Sequence, residues 1–516
     1  MHRYFGLPFL LLGVLAGCQF DPLSEDYAQS DNLPYRVLQR PDGSRQLETR
    51  IPVPSRWFNG SSNSYSDPLH QLDSVPSGQS SGTWWRQDNI HLADSWGPTE
   101  EFWFGWYLLD AYQIDRQNQT SPVPLVSQGV TNLFYRFHAD SLHGAIYTRY
   151  IPPVSAGGLS NELNGTAQDS VLGIFFSVWP RDTLVVAQAV AGTPAGKAGL
   201  QSGDRILSFD GRPAKSSLSY LTDSVGSRKI RLVYLRPGTG LDTIAIARAG
   251  AIMPTVFRDT LPGGIGYIYI GQFAPSDPAS GLASTDMQFQ DAAAWVEANS
   301  KGSWILDLRD DGGGVIDVSR CIASALVPSP AKLIQITERS VDFMAADPML
   351  DGQVSSSPMM DSSVTHHLQG RTIRILQNGW TASASELLIS ALRENLGSSV
   401  REYGDTTYGK GIGQLYFDTP LGGLMAVTCL HLNPVHQPSY HHVGIAPDVR
   451  LTNPDSTVIF AWRDAKSSGA SARALVGTPG LKPDLSALAW NRNEVRHLHP
   501  PAELPKRAPW KTGPSF

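Results

Sequence analysis

Residues 375–414 read ILQNGWTASASELLISALRENLGSSVREYGDTTYGKGIGQ, and the rest of the chain is organised around them. An apolar run, Ile373, Ile375 and Leu376, meets a turn at Asn378-Gly379. The small-residue cluster Thr381-Ala382-Ser383-Ala384-Ser385-Glu386 then opens a helix, whose apolar positions Leu387, Leu388, Ala391 and Leu392 recur at helical spacing. A strand, a sharp turn and a helix start put Ser383 where backbone N–H groups are unpaired and the helix dipole favours negative charge. Such a place suits a nucleophile that turns into an oxyanion. It suits a capping serine equally well, because Ser383-x-x-Glu386 is the S-x-x-E capping box. Downstream, Tyr408-Gly409-Lys410-Gly411 sets one lysine between two glycines, and Gln414 follows four residues later.

A second loop belongs with this stretch. Asp307-Leu308-Arg309-Asp310-Asp311-Gly312-Gly313-Gly314 follows a buried strand, and its glycines free backbone N–H groups to converge on a ligand oxygen. A phosphate loop would end in Gly-Lys-Ser/Thr, which is missing here. An oxyanion hole needs only amides, and those of Gly313 and Ala384 are the candidates. A nucleophilic serine also needs a base. His431, His436, His441 and His442 fall in no triad or metal-ligand spacing and read as structural. Lys410 serves only if neutral. Bringing its pKa from about 10.4 to near 7 destabilises the ammonium by roughly 4–5 kcal/mol, which burial can supply and solvent exposure cannot. Tyr408, Ile412 and the flanking glycines are consistent with an apolar pocket, and Gln414 can hydrogen-bond the lysine without adding negative charge. The plain alternative is a surface lysine in a hairpin.

Working outward, residues 251–450 alternate strands (266–270, 304–308, 332–336) with helices (285–298, 315–326), which predicts an α/β layer with functional groups on loops at strand ends. Residues 165–250 instead give short apolar strands (171–178, 184–190, 205–209, 230–234, 243–247) around GTPAGKAGLQSGDRILSFDGRPA, residues 192–214. That run resembles a PDZ domain of bacterial proteases. The resemblance makes Gly173-Ile174-Phe175-Phe176 the carboxylate-binding loop, which captures a peptide's C-terminus as an added strand; Phe175 stands where a second glycine is common.

Four motifs in order carry a wider resemblance: Leu306-Asp307-Leu308-Arg309-x-x-Gly312-Gly313-Gly314, Thr381 to Glu386, Tyr408-Gly409-Lys410-Gly411-x-x-Gln414 and Gly444-Ile445-x-Pro447-Asp448. Together they resemble the carboxyl-terminal processing, or tail-specific, serine peptidases over about residues 165–450. The resemblance implies a crotonase/ClpP-like α/β protease core with an inserted PDZ-like β-rich domain and a helical N-terminal region. It implies a catalytic Ser383/Lys410 dyad with Gln414 as third member, an oxyanion hole of Gly313 and Ala384, and no metal or cofactor. The span from Ser383 to Lys410 is a residue or two longer than usual, through Leu396-Gly397-Ser398-Ser399. Upstream of the PDZ-like run only Tyr147-Thr148-Arg149-Tyr150 matches the family.

The 516 residues, 41% hydrophobic and 17% charged, suffice for about three domains. With 41 basic against 47 acidic residues and a net charge of −6, nothing calls for a nucleic-acid partner. The first eighteen residues have a basic start, an apolar stretch too short to span a bilayer, and Leu15-Ala16-Gly17-Cys18, which looks like a bacterial lipobox with Cys18 as the lipidated residue. Gln19 after it favours the outer membrane by analogy with such lipoproteins. Residues 19–160 read as a linker and helical cap region, with helices starting at 99 and over 129–142. Its Trp57, Trp84, Trp85 and Trp96 pack a small core or bind sugar or peptide. Residues 451–516 read as one helix (456–466) and a Pro-rich tail. Cys321 and Cys429, both in apolar settings, read as free thiols. The expectation is a lipid-anchored, periplasm-facing envelope endopeptidase acting on proteins or peptides with exposed C-terminal tails. The rivals are a non-catalytic PDZ scaffold lipoprotein and an esterase on the same core.

Overall fold

The computed structural model describes strands Tyr35–Gln39, Arg45–Thr49 and Trp85–His91 by their backbone and parts of 101–114. It then describes 128–137, 140–163, 169–178, 183–217, 228–277, 281–328, 331–340, 352–356, 367, 371–419, 421–451 and 457–467. Cys18, the tryptophans at 57, 84 and 96, and the Pro-rich tail lie outside the described residues. Two compact units divide the chain: residues 1–160, 335–356 and 412–432 form one, and 161–334, 357–411 and 433–516 the other.

The larger unit is built on a six-stranded sheet of order β1-β2-β3-β4-β5-β6: β1 Val256–Leu261, β2 Ile265–Ile270, β3 Trp304–Asp307, β4 Ile373–Gln377, β5 Val400–Gly404 and β6 Val449–Arg450. Only β1 runs antiparallel to its neighbour. Near-continuous apolar strands such as IGYIYI and WILD are what a sheet covered on both faces requires. One face sends Ile268, Leu306 and Ile375, paired in register, into the cluster shared with helices α1 Thr285–Asn299, α2 Ile316–Leu326 and α3 Ala384–Leu396. The other face sends Tyr267, Ile305 and Leu376 against α4 Thr457–Ser467 through Val458, Ala461 and Ala465. Because the strands are parallel, the loops after β3 and β4 leave the same edge of the sheet, and those are the two loops singled out by the sequence.

Also within this unit, five strands pair in the order Gly240–Ile246, Ile230–Arg236, Arg205–Phe209, Leu184–Ala189, Ile174–Phe176 around a separate apolar core that includes Ile174, Phe176, Ile206, Phe209 and Leu232. The strand expected over 171–178 is broken at Gly173 (φ +80°), where a Cβ would lie 2.0 Å from Thr193 Oγ1.

In the smaller unit, four strands pair in the order Gly352–Ser356, Gln335–Ser340, Leu424–Asn433, Ile412–Asp418, and Arg149–Ile151 adds to Leu424–Asn433. Two expectations need correction here. The strand expected over 332–336 is Gln335–Ser340, and it serves this sheet, while Leu333 is buried in the apolar core of the larger unit as irregular chain. The helix expected over 129–142 is Val130–Phe137, because His143 (φ +52°) and Gly144 (φ +86°) form a tight turn joining short strands Ser141–Leu142 and Ala145–Ile146. Among the described residues no helix is long and apolar enough to cross a membrane.

Candidate active site

Beneath the glycine-rich loop, Asp307 ends β3 and is buried with Arg309 and Tyr267. The Arg309 Nε and Nη2 donate to its two oxygens at 2.8 and 2.5 Å, and the Tyr267 hydroxyl donates at 2.7 Å. This anchored root aims the loop at the turn after β4. There Asn378 clasps Asp310 both ways, with Nδ2 donating to Asp310 Oδ1 (2.8 Å) and the Asp310 N–H donating to Asn378 Oδ1 (3.0 Å). The Thr381 hydroxyl donates to Leu308 O (2.8 Å), and the Ala382 N–H to Asp311 O (2.9 Å).

Gly313 comes closest to the serine. At φ +99° its Cβ would lie 2.7 Å from Ala382 O and 2.8 Å from both Ala384 N and Ser383 Cβ, so only glycine allows this approach. The structure therefore brings Gly313, Ser383 and Ala384 together. In this conformation the Gly313 N–H donates to Asp311 Oδ1 at 2.9 Å, and it reaches an oxyanion only by giving up that acceptor. Burial pushes the Asp311 carboxyl well above the usual carboxylate range.

Ser383 is buried at the N-cap of α3 with φ +56°, a region costly for a residue with a Cβ. What holds it there is Glu386. Four donors converge on this wholly buried carboxylate: the N–H groups of Ser383 (Oε2, 2.9 Å), Lys410 (Oε2, 2.8 Å) and Gly409 (Oε1, 2.6 Å), and the Thr407 hydroxyl (Oε1, 2.5 Å). Burial raises the Glu386 pKa to about 7, against the lowering effect of those bonds. One carboxylate thus fixes the backbone of the serine turn relative to that of the lysine loop. Sequence reading assigned Glu386 only a capping role; its other three partners lie more than twenty residues downstream, and only folding brings them in.

The lysine loop is held from its other side as well. Tyr408 is buried and its N–H donates to Thr381 O (2.9 Å), Gly409 (φ +91°) leaves no room for a Cβ against Gly444 N, and Gly411 N–H donates to His441 Nδ1 (3.3 Å). Thr407 and Ile445 exchange backbone and hydroxyl bonds, which packs the Gly444-Ile445-x-Pro447-Asp448 motif on this loop. Lys410 itself is half-buried. The extra residues at 397–399 form a 3-10 turn between α3 and β5.

Gln414 belongs to the smaller unit, where its Nε2 donates to Thr428 Oγ1 at 3.1 Å. Gly173, Ile174, Phe175 and Phe176 lie at the edge strand of the PDZ-like sheet, all buried. Phe175 turns away from that sheet's core and stacks on Phe257 of β1, ring centroids 4.4 Å apart, with Tyr269 nearby; the Ser177 hydroxyl adds a bond to Asp259 (2.6 Å). Among the described residues no group of three or more His, Cys, Asp or Glu side chains could hold a metal ion. Cys321 and Cys429 are not joined in a disulfide.

Residues 264–451 match peptidase family S41, and residues 185–236 match the PDZ domain. The chain is 27% identical over 323 residues to a carboxyl-terminal-processing protease of Synechocystis sp., covering 60% of this chain and 68% of that protein. It is 25% identical over 296 residues to the carboxy-terminal processing protease CtpA of Bacillus subtilis, covering 56% of this chain and 58% of that protein. Among solved structures, the photosystem II D1 C-terminal processing protease aligns at 21% identity and TM-score 0.40, covering 73% of this chain and 99% of that one. The α/β core and the PDZ domain expected from the motifs are both present.

Proposed function

We propose, from the premise that the chain is a serine-type peptidase of family S41 carrying a PDZ domain, that it is an envelope endopeptidase working through a Ser383/Lys410 dyad. The Ser383 hydroxyl attacks a peptide carbonyl and its proton passes to neutral Lys410. The tetrahedral oxyanion is held by the amides of Gly313 and Ala384. Collapse expels the amine, which takes the proton back from Lys410, and water then hydrolyses the acyl-enzyme by the same route. Gln414 is the third member of the site. The Gly173–Phe176 segment of the PDZ domain selects substrates by their C-terminal tails, and acylated Cys18 tethers the protein, facing the periplasm, to the outer membrane.

The observation that carries this reading is the Glu386 carboxylate, which joins the backbone N–H groups of Ser383 and Lys410 at 2.9 and 2.8 Å. A serine serving only as a helix cap would need no such tie to a lysine loop. In the test, protein lacking residues 1–18 is incubated with an unfolded protein bearing an apolar C-terminus, and Ser383→Ala and Lys410→Ala each abolish cleavage. Cleavage by either variant at the parental rate would sink the dyad. In the full chain, Cys18→Ser moves the protein from the membrane fraction to the soluble one.

A further inference from the structure

Asp311 lies in the glycine-rich loop two residues before Gly313, wholly buried, and no step of the proposed reaction uses its carboxyl. Its main-chain carbonyl accepts the Ala382 N–H (2.9 Å) and the Ser385 hydroxyl (3.1 Å), which pins it to the serine turn on both sides of Ser383. Just beyond, the loop is pinned again, to the segment that follows β2: the Phe273 N–H donates to Gly313 O (3.0 Å) and the Val315 N–H to Phe273 O (2.8 Å). Between these anchors lies the peptide unit that carries the Gly313 N–H. The Asp311 side chain holds that unit, with Oδ1 accepting the N–H at 2.9 Å. With glycine at 312, 313 and 314, such a unit can turn about its flanking bonds while the anchors stay in place.

The strength of this tie follows from the partners of the carboxyl. Asp307 and Glu386 each use both oxygens as acceptors. Asp311 uses one, and among the described residues its Oδ2 has no hydrogen-bond partner. Burial with so little compensation favours the neutral acid. An amide bond to a neutral carboxyl is about half as strong as one to a full negative charge. The Gly313 N–H therefore stays with Asp311 while it faces an uncharged peptide carbonyl, and leaves it for an oxyanion.

We infer that Asp311 is a positioning residue that latches the oxyanion hole: it holds the Gly313 N–H aside in the free enzyme and yields it to the negative charge of the tetrahedral intermediate. This rests on the dyad reading, in which that charge forms at Ser383 and is received by the Gly313 and Ala384 amides. A latch has a signature that a structural residue lacks. Every turnover breaks the bond to Asp311, so an enzyme without that acceptor is faster, whereas loss of a merely structural side chain slows it.

The test has two arms. In the first, the protein is crystallised free and with a peptidyl boronic acid, whose boron bonds to the Ser383 oxygen and becomes a tetrahedral anion. In the adduct the Gly313 N–H donates to a boronate oxygen at about 3 Å and lies beyond about 3.5 Å from Asp311 Oδ1. An N–H still on Asp311 in the adduct, or already off it in the free enzyme, overturns the inference. The second arm compares kcat and KM for the parent, Asp311→Ala, Asp311→Asn and Ser383→Ala. Asp311→Ala raises kcat at least about threefold, the scale of one net hydrogen bond, with KM within about twofold, and it tightens boronate binding by the same factor. Asp311→Asn restores a carbonyl acceptor and returns kcat toward the parental value. A smaller rise in Asp311→Ala, or any loss, overturns the inference. Should that variant lack a cooperative thermal transition, Asp311→Leu takes its place under the same threshold. If Ser383→Ala itself cleaves, or the boronic acid leaves Ser383 unmodified, the dyad reading fails and takes the inference with it. An inactive Ser383→Ala beside an Asp311→Ala no faster than the parent removes the inference alone.

Discussion

At the scale of single residues, the site depends on one wholly buried carboxylate. Glu386 accepts from the Ser383, Gly409 and Lys410 amides, and it holds Ser383 at a positive φ that a free chain would rarely adopt. In Glu386→Gln one oxygen becomes an NH2. Whichever way the amide turns, that NH2 faces two of the four donors and leaves at least one backbone N–H unsatisfied. The expected outcome is a stability loss of about 1–3 kcal/mol by denaturant titration, together with a fall in kcat larger than any change in KM. A parental kcat in this variant would mean that the serine turn keeps its geometry without the tie. The pattern Ser383-x-x-Glu386 was legible in the sequence, and so was its capping meaning. The Thr407, Gly409 and Lys410 contacts were not legible, because hydrogen bonding between loops leaves no periodic trace.

At the scale of elements, two parallel strands, β3 and β4, deliver their loops to one sheet edge, and the Asn378–Asp310 clasp joins them. The apolar runs and glycines that specify this arrangement were readable directly. The edge strand Ile174–Phe176 shows what was not. Phe175 stands where the resemblance leads one to expect a glycine, and its ring fills a niche against Phe257 and Tyr269 instead. Phe175→Ala removes that packing and is expected to lower stability by about 3–5 kcal/mol, read as a fall in Tm. A change below about 1 kcal/mol would mean that the stacked ring contributes little to holding the PDZ domain on β1.

At the scale of the whole molecule, buried carboxyls set the response to pH. Burial raises both Glu386 and Glu402 from an ordinary value of 4.5 to about 7; Glu402 also takes a two-point bond from Arg393 at 3.0 Å. Between those values the folded chain keeps protons that the unfolded chain has shed, so the contribution of these two groups to stability is fully present below about pH 4.5 and falls as pH rises toward 7. Thermal unfolding followed from pH 5 to 7.5 should show this decline, and a shallower one in Glu386→Gln. A Tm that climbs across the window with the same slope in both proteins would contradict the burial effect at Glu386.

By itself the sequence determined the α/β core through period and turn residues, and the PDZ domain and the four loops that carry the candidate chemistry through motifs that resemble known families, because all of these are local properties. Tertiary structure alone decided which side chains support those loops. It made Glu386 the tie between two loops, turned Phe175 onto β1 and joined Asp140, Thr148 and Thr428 behind Gln414. Apart from the local Ser383–Glu386 and Asp140–Thr148 bonds, these contacts join residues from 14 to 288 positions apart, and they exist only once the sheets have formed.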